Sequence, residues 1–187
     1  MKTMKLMLLL MMIGLVASAC NKEEEKEEDK EEEVTPTPDP DSKLTALPAG
    51  DQTVTGNINT GEILSDLSWA WNSSMACFVE PGKEWFEGNH VFYQIDLPEQ
   101  STIEITLDSD EDIALYAYSK GAGSMVIPPD ISSCVSCEAS PSNSTAIPGQ
   151  KYVYLNATTN PYSIIIGVAG KANLTAGEFT MNIDVES

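Results

Sequence analysis

An all-β fold, a single antiparallel β-sandwich of jelly-roll-like form, is what this chain of 187 residues predicts. Three observations carry that expectation. Apolar and polar residues alternate at period two through most of the second half, Pro, Gly and Asn turn signals separate those runs, and no stretch after the stalk holds the 3.6-residue period of a long helix. The sandwich is expected over residues 43–187, behind a signal segment (1–19) and a disordered acidic and Pro-rich linker (20–42). That leaves about 145 residues, enough for one domain with a core and too few for two.

The chain starts Met1-Lys2-Thr3-Met4-Lys5, continues in an apolar run from Leu6 to Val16, and reaches Ala17-Ser18-Ala19 directly before Cys20. Two lysines hold the start on the cytoplasmic side, and the apolar run is too short to cross a bilayer core of about 30 Å. It reads as an export signal that is removed. Ala17 to Cys20 resembles the lipobox of bacterial lipoproteins, with alanine where leucine is commonest three residues before the cysteine. The resemblance implies a diacylglyceryl thioether on Cys20, cleavage in front of it, and a mature chain lipid-anchored in the bacterial cell envelope, on the outer membrane or cell surface. An ordinary secretory signal cut after Ala19 is the alternative, and it leaves the cysteine unexplained.

From Lys22 to Glu33 only Lys, Glu and Asp occur, with lysines at 22, 26 and 30. That spacing allows i,i+4 ion pairs but offers no apolar stripe, so the run is solvated, disordered or marginally helical. Thr35-Pro36-Thr37-Pro38-Asp39-Pro40 follows as a stiff extended spacer. The run also resembles the export tether of surface lipoproteins of the Bacteroidetes group; a plain spacer reads equally well.

The net charge is −19, and all ten basic residues are lysines. Such an acidic chain repels phosphate backbones, which excludes nucleic acid as a partner.

Within the domain, Asp51 to Asn59 reads as a short strand with polar alternation, broken at Gly56 and Gly61. Ile63 to Glu80, with Leu64, Leu67, Trp69 and Trp71, fits a short helix or an irregular strand. His90 to Leu97 places Val91, Tyr93, Ile95 and Leu97 on one face. Thr102 to Leu107 places Ile103, Ile105 and Leu107 inward, and Ile113 to Tyr118 is apolar on both faces. Lys151 to Asn156, Tyr162 to Val168 and Glu178 to Val185 complete six or more strands, the last with Phe179, Met181, Ile183 and Val185 inward. Gly121 to Pro148 is expected to be a long loop rich in Ser, Pro and Gly. A loop of that length is functional or tied down.

The strands Val91-Phe92-Tyr93-Gln94-Ile95-Asp96-Leu97-Pro98 and Asp112-Ile113-Ala114-Leu115-Tyr116-Ala117-Tyr118, the Pro148-Gly149-Gln150-Lys151-Tyr152 turn, and Gly177-Glu178-Phe179-Thr180-Met181 resemble the bacterial pre-peptidase C-terminal (PPC) domain. The likeness covers about Gly88 to Val185. It departs in the cysteine-bearing insert, in His90, and in Ile113-Ala114. It implies a sandwich module that is not itself catalytic, some members of which bind matrix protein or polysaccharide and some calcium.

Candidate sites follow from residue types. With Cys20 lipidated, Cys77, Cys134 and Cys137 remain, and an oxidising compartment favours one disulfide with one thiol left over. Cys77 bonded to Cys134 or Cys137 would pin the long loop; a local Cys134–Cys137 bridge is the other pairing. A zinc site of the three thiolates with His90 fits the Cys-x-x-Cys spacing but not the exported location. Asp108, Asp110 and Asp112, with Glu111, crowd one turn and have the oxygen donors calcium takes, or form a solvated hairpin turn. Trp69, Trp71, Trp85, Phe86, Tyr116 and Tyr118 are core packing first and a sugar platform second. His90, the sole histidine, reads as a strand-start residue, and any hydrolytic Ser-His-Asp relay would have to use it. The functional expectation is a non-catalytic envelope module binding a polysaccharide or protein ligand, with no cofactor beyond calcium. A structural component docking on another envelope protein and a small hydrolase are the alternatives.

Overall fold

The computed structural model describes residues 43–141 and 150–187. The signal, Cys20, the linker and the Pro148-Gly149 turn lie outside the described residues. Among the described residues there are ten strands: β1 (Leu44–Ala46), β2 (Gln52–Asn57), β3 (Glu62–Ile63), β4 (Asn89–Leu97), β5 (Ser101–Asp108), β6 (Ile113–Gly121), β7 (Ser136–Ser140), β8 (Gln150–Ala157), β9 (Tyr162–Gly170) and β10 (Glu178–Glu186).

They form two sheets. One has the order β1-β4-β9-β6-β7 with β3 also on β4, and the other β2-β10-β5-β8. Pairing is antiparallel throughout except for β1, which runs parallel to β4. The predicted sandwich is therefore correct, and the predicted inward faces meet. Ile103, Ile105 and Leu107 of β5 pack with Phe179, Met181 and Ile183 of β10 and with Ile95, Leu97, Ile113, Leu115, Ile164 and Ile166 of the larger sheet. This inter-sheet core is almost wholly aliphatic, because successive residues of a strand point to opposite faces and these strands place branched residues at every second position.

β6 and β9 are buried on both faces, so the larger sheet has something on its outer side too. That cover comes from residues 64–86 and 127–139. Trp69, Phe86, Phe92, Tyr116, Tyr118 and Ile165 form a second core, with Phe78, Trp71 and Trp85 packed against it. The segment Ile63 to Glu80, read from sequence as a short helix or an irregular strand, ends β3 at Ile63, holds the short 3-10 helix Ser68–Trp71, and runs on as irregular chain that follows the aromatic packing into a second 3-10 helix, Glu80–Phe86. Two further expectations are corrected. The long loop after Gly121 contains β7, which pairs Tyr118 with Cys137 and Tyr116 with Ala139, and Gly56 continues β2, opposite Phe179, where a Cβ would collide with the Phe179 and Tyr93 rings.

The covering layer is fastened to the sheet by a Cys77–Cys137 disulfide, sixty residues apart in sequence. In the chain-entropy account a loop of that size stabilises by about 4 kcal/mol.

Candidate functional site

The aromatic residues singled out from sequence sit on the covered side. Tyr116 and Tyr118 are fully buried, and Trp69 and Phe86 nearly so. Phe78 stacks on Phe86 with centroids 4.0 Å apart, and Trp69 packs against Tyr116 at 5.6 Å. These rings have no face free for a sugar. Trp85 is half-buried and carries the Lys171 ammonium 4.1 Å above its ring, while Trp71 packs edge-on to Phe78. The packing role stands for the set.

Tyr116 lies flat across the sheet because the residue beside it on β9 is Gly167, where a Cβ would overlap the tyrosine ring. Its hydroxyl reaches His90 Nδ1 at 3.1 Å, and His90 Nε2 lies 2.7 Å from the Phe86 carbonyl oxygen. The carbonyl can only accept, so Nε2 carries the proton and donates, and Nδ1 accepts from the Tyr116 hydroxyl. Burial pushes the imidazole pKa down to about 4, against a smaller opposing effect of the Phe86 carbonyl. A neutral histidine with both nitrogens engaged and 2% exposure is a structural tie between the layer and β4. It is no accessible base for a Ser-His-Asp relay.

The cysteines resolve in favour of one disulfide and one thiol. Cys134 is the free one, half-buried, with Sγ 3.6 Å from the Met75 carbonyl oxygen, and burial pushes its thiol pKa up. Zinc loses two of its three thiolates to the Cys77–Cys137 bond, and His90 has no free nitrogen to give.

The acidic turn between β5 and β6 does not bring its three aspartates to one point. Asp108 and Asp110 line an open cleft with Ser109 and Glu178, whereas Asp112 turns to Lys171, 3.5 Å away. Ser109 organises the turn instead, donating to the Glu178 carbonyl at 2.7 Å and accepting from the Glu111 amide at 3.1 Å. Among the described residues no three His, Cys, Asp or Glu side chains are grouped to hold a metal ion.

The outer face of the smaller sheet is different. The alternation that buries Val153 and Leu155 of β8 turns Tyr152 and Tyr154 outward, 39% and 40% exposed. Cross-strand register sets Tyr154 beside Glu104, and Glu104 beside Asp184. The next row runs Tyr152, Thr106, Asn182 and Thr53. Tyr152 donates its hydroxyl to Glu104 Oε1 at 3.1 Å, and Thr53 Oγ1 donates to Asn182 Oδ1 at 2.8 Å. Partial desolvation, then the Glu104 hydrogen bond and the charges of Glu104 and Tyr154, raise the Tyr152 pKa. The result is a sheet surface of two half-open aromatic rings bordered by hydroxyls, amides and carboxylates. Sequence reasoning passed over both tyrosines as site residues. The signal was the strict alternation Lys151-Tyr152-Val153-Tyr154-Leu155, which puts two rings about 7 Å apart on the face away from the core.

No family model matches the chain, and no curated protein matches it. Among solved structures, a periplasmic inhibitor of g-type lysozyme from Aeromonas hydrophila superposes with a TM-score of 0.41 at 10% identity, over 76% of this chain and 97% of that one. The pre-peptidase C-terminal domain of a collagenase from Bacillus anthracis superposes with a TM-score of 0.39 at 11% identity, over 76% and 94%.

Proposed function

We propose that this chain is a non-catalytic binding module of the bacterial cell envelope, held by a lipid on Cys20 and set off from the membrane by residues 20–42. It binds a polysaccharide or protein ligand with the outer face of the β2-β10-β5-β8 sheet. One observation carries the binding role: Tyr152 and Tyr154 stand half-exposed on the edge strand β8, beside the hydrogen-bonding side chains of β5 and β10, while Trp69, Trp71, Phe86, Tyr116 and Tyr118 are used for packing. Aromatic rings with polar neighbours suit recognition because they offer large contact area at low entropic cost. The lipobox-like Ala17 to Cys20 and the acidic run behind it support the anchor. The sequence resemblance to a family of accessory modules points the same way.

Two experiments test this. Tyr152→Ala/Tyr154→Ala is compared with the parent chain on an array of glycans and matrix proteins. Binding that is lost in the variant supports the face, and binding that survives moves the site elsewhere. A chain that binds nothing on the array fits the structural alternative, docking on a neighbouring envelope protein. Intact mass of the exported chain tests the anchor: a mature chain starting at Cys20 with a diacylglyceryl increment supports it, and an unmodified Cys20 removes it.

A further inference from the structure

The binding face is frustrated in a way that specifies its partner. Glu104 and Asp184 are directly opposite each other across β5 and β10, both exposed, and like charges so placed in a sheet repel. Asp108, four residues along β5 from Glu104, and Glu186, two residues along β10 from Asp184, stand on the same face. Among the described residues no lysine relieves them. Of the five lysines in the described residues, Lys43 pairs with Glu62, Lys83 with Glu87 and Lys171 with Asp112. Lys120 donates to the Ser133 carbonyl at 2.7 Å, and Lys151 points to the buried side of β8. Every cation of the domain is therefore held away from a face that carries four carboxylates.

We propose that this face docks a cationic polypeptide, an extended lysine- or arginine-rich segment of a partner protein. This rests on the binding role proposed above and names the chemistry of the partner. A neutral glycan would leave the Glu104 and Asp184 carboxylates facing each other and partly stripped of water, which is costly. An ammonium or guanidinium set between them removes the repulsion and gains charge-assisted hydrogen bonds. Tyr154, beside Glu104, offers its ring to the same cation or its alkyl stem. The geometry repeats along the face. Side chains at i and i+2 of an extended peptide are about 7 Å apart, the spacing that separates successive rows of the sheet. Basic residues at i and i+4 of such a peptide, two rows apart, thus meet the Glu104–Asp184 row and then Asp108 in the row beyond Tyr152.

The test is residue-resolved NMR of the full chain with a ten-residue lysine peptide as probe and cellohexaose as the glycan arm. Amide shifts identify where each probe sits, which separates the sheet from the acidic run at Lys22 to Glu33. The expected result is that the lysine peptide shifts Glu104, Thr106, Tyr154 and Asp184. Glu104→Gln/Asp184→Asn then weakens that binding at least tenfold. The control Glu80→Gln/Glu84→Gln, which removes the same charge from the covering layer, weakens it less than twofold. Equal weakening in both variants overturns the proposal, since it would show only net-charge attraction. Shifts confined to residues outside the sheet overturn it too. Cellohexaose shifting the face where the lysine peptide does not would overturn the cationic partner and leave the binding module standing. Silence of the face towards both probes overturns it, and a blank glycan and matrix-protein array would then take the binding role as well.

Discussion

The two sheets share one aliphatic core but treat their outer faces in opposite ways. The larger sheet hides its outer side under an aromatic layer of 3-10 turns held by Cys77–Cys137. The smaller sheet leaves its outer side bare, with Tyr152 and Tyr154 among threonines, asparagines and carboxylates. Both faces carry tyrosines, and their neighbours decide what the tyrosines do. Tyr116 is boxed in by Gly167, His90 and Trp69, whereas Tyr152 touches Glu104 and solvent. Aromatic rings are therefore packed into a closed layer on one side and left open to solvent on the other.

The sharpest way to break that contrast is to truncate a ring on each side. Tyr116→Ala should cost about 3–5 kcal/mol in chemical denaturation, because it opens a cavity in a closed core and strips His90 Nδ1 of its partner. The next effect in size is the staple. Cys77→Ser/Cys137→Ser should lose about 4 kcal/mol in the same assay, and amide exchange should rise first at Ala70 and Cys77, whose amides bond within the layer, and last in β5 and β10.

His90 gives a third handle, through pH. Its imidazole is neutral when folded down to about pH 4, while the unfolded chain takes up the proton near its ordinary value of 6.5. The stabilising contribution is complete above about 6.5 and is lost as pH falls towards 4. It amounts to something on the order of 3 kcal/mol. Thermal melting across that window should show the slope, and His90→Gln should remove His90's part of it. The smallest effect belongs to the open face: Tyr152→Ala should change stability by less than about 0.5 kcal/mol, as exposed substitutions do. A loss as large as that of Tyr116→Ala would mean the face is structural and not a binding surface.

Much of the sandwich was legible in the sequence because a half-buried strand writes its geometry as alternation. Phe179, Met181 and Ile183 of β10 and Ile103, Ile105 and Leu107 of β5 face the core where the pattern put them. β6 was read as covered on both sides, and it is. The covering layer was not legible for the complementary reason. Its 3-10 turns follow the shapes of Trp69, Phe78 and Phe86, which have no sequence period, and β7 is a Ser-Cys-Glu-Ala-Ser segment whose strand state comes from pairing with β6 and from the disulfide. The site was half legible. One disulfide and one free thiol could be counted from the cysteines, but their partners could not, and the cluster of Trp69, Trp71, Trp85, Phe86, Tyr116 and Tyr118 is the packing it was first read to be. The two exposed tyrosines, Tyr152 and Tyr154, lay in a plain alternating strand.

Tyrosine accessibility tests the whole account on one side chain type. N-acetylimidazole is applied to the purified chain and to cells that carry it in their envelope, and peptide mass spectrometry reads each tyrosine. Tyr116 and Tyr118 should stay unmodified in both samples, and Tyr152 and Tyr154 should react in the purified chain and be protected in the envelope, where a partner would occupy the open face. Equal modification of Tyr152 and Tyr154 in both samples would contradict the account.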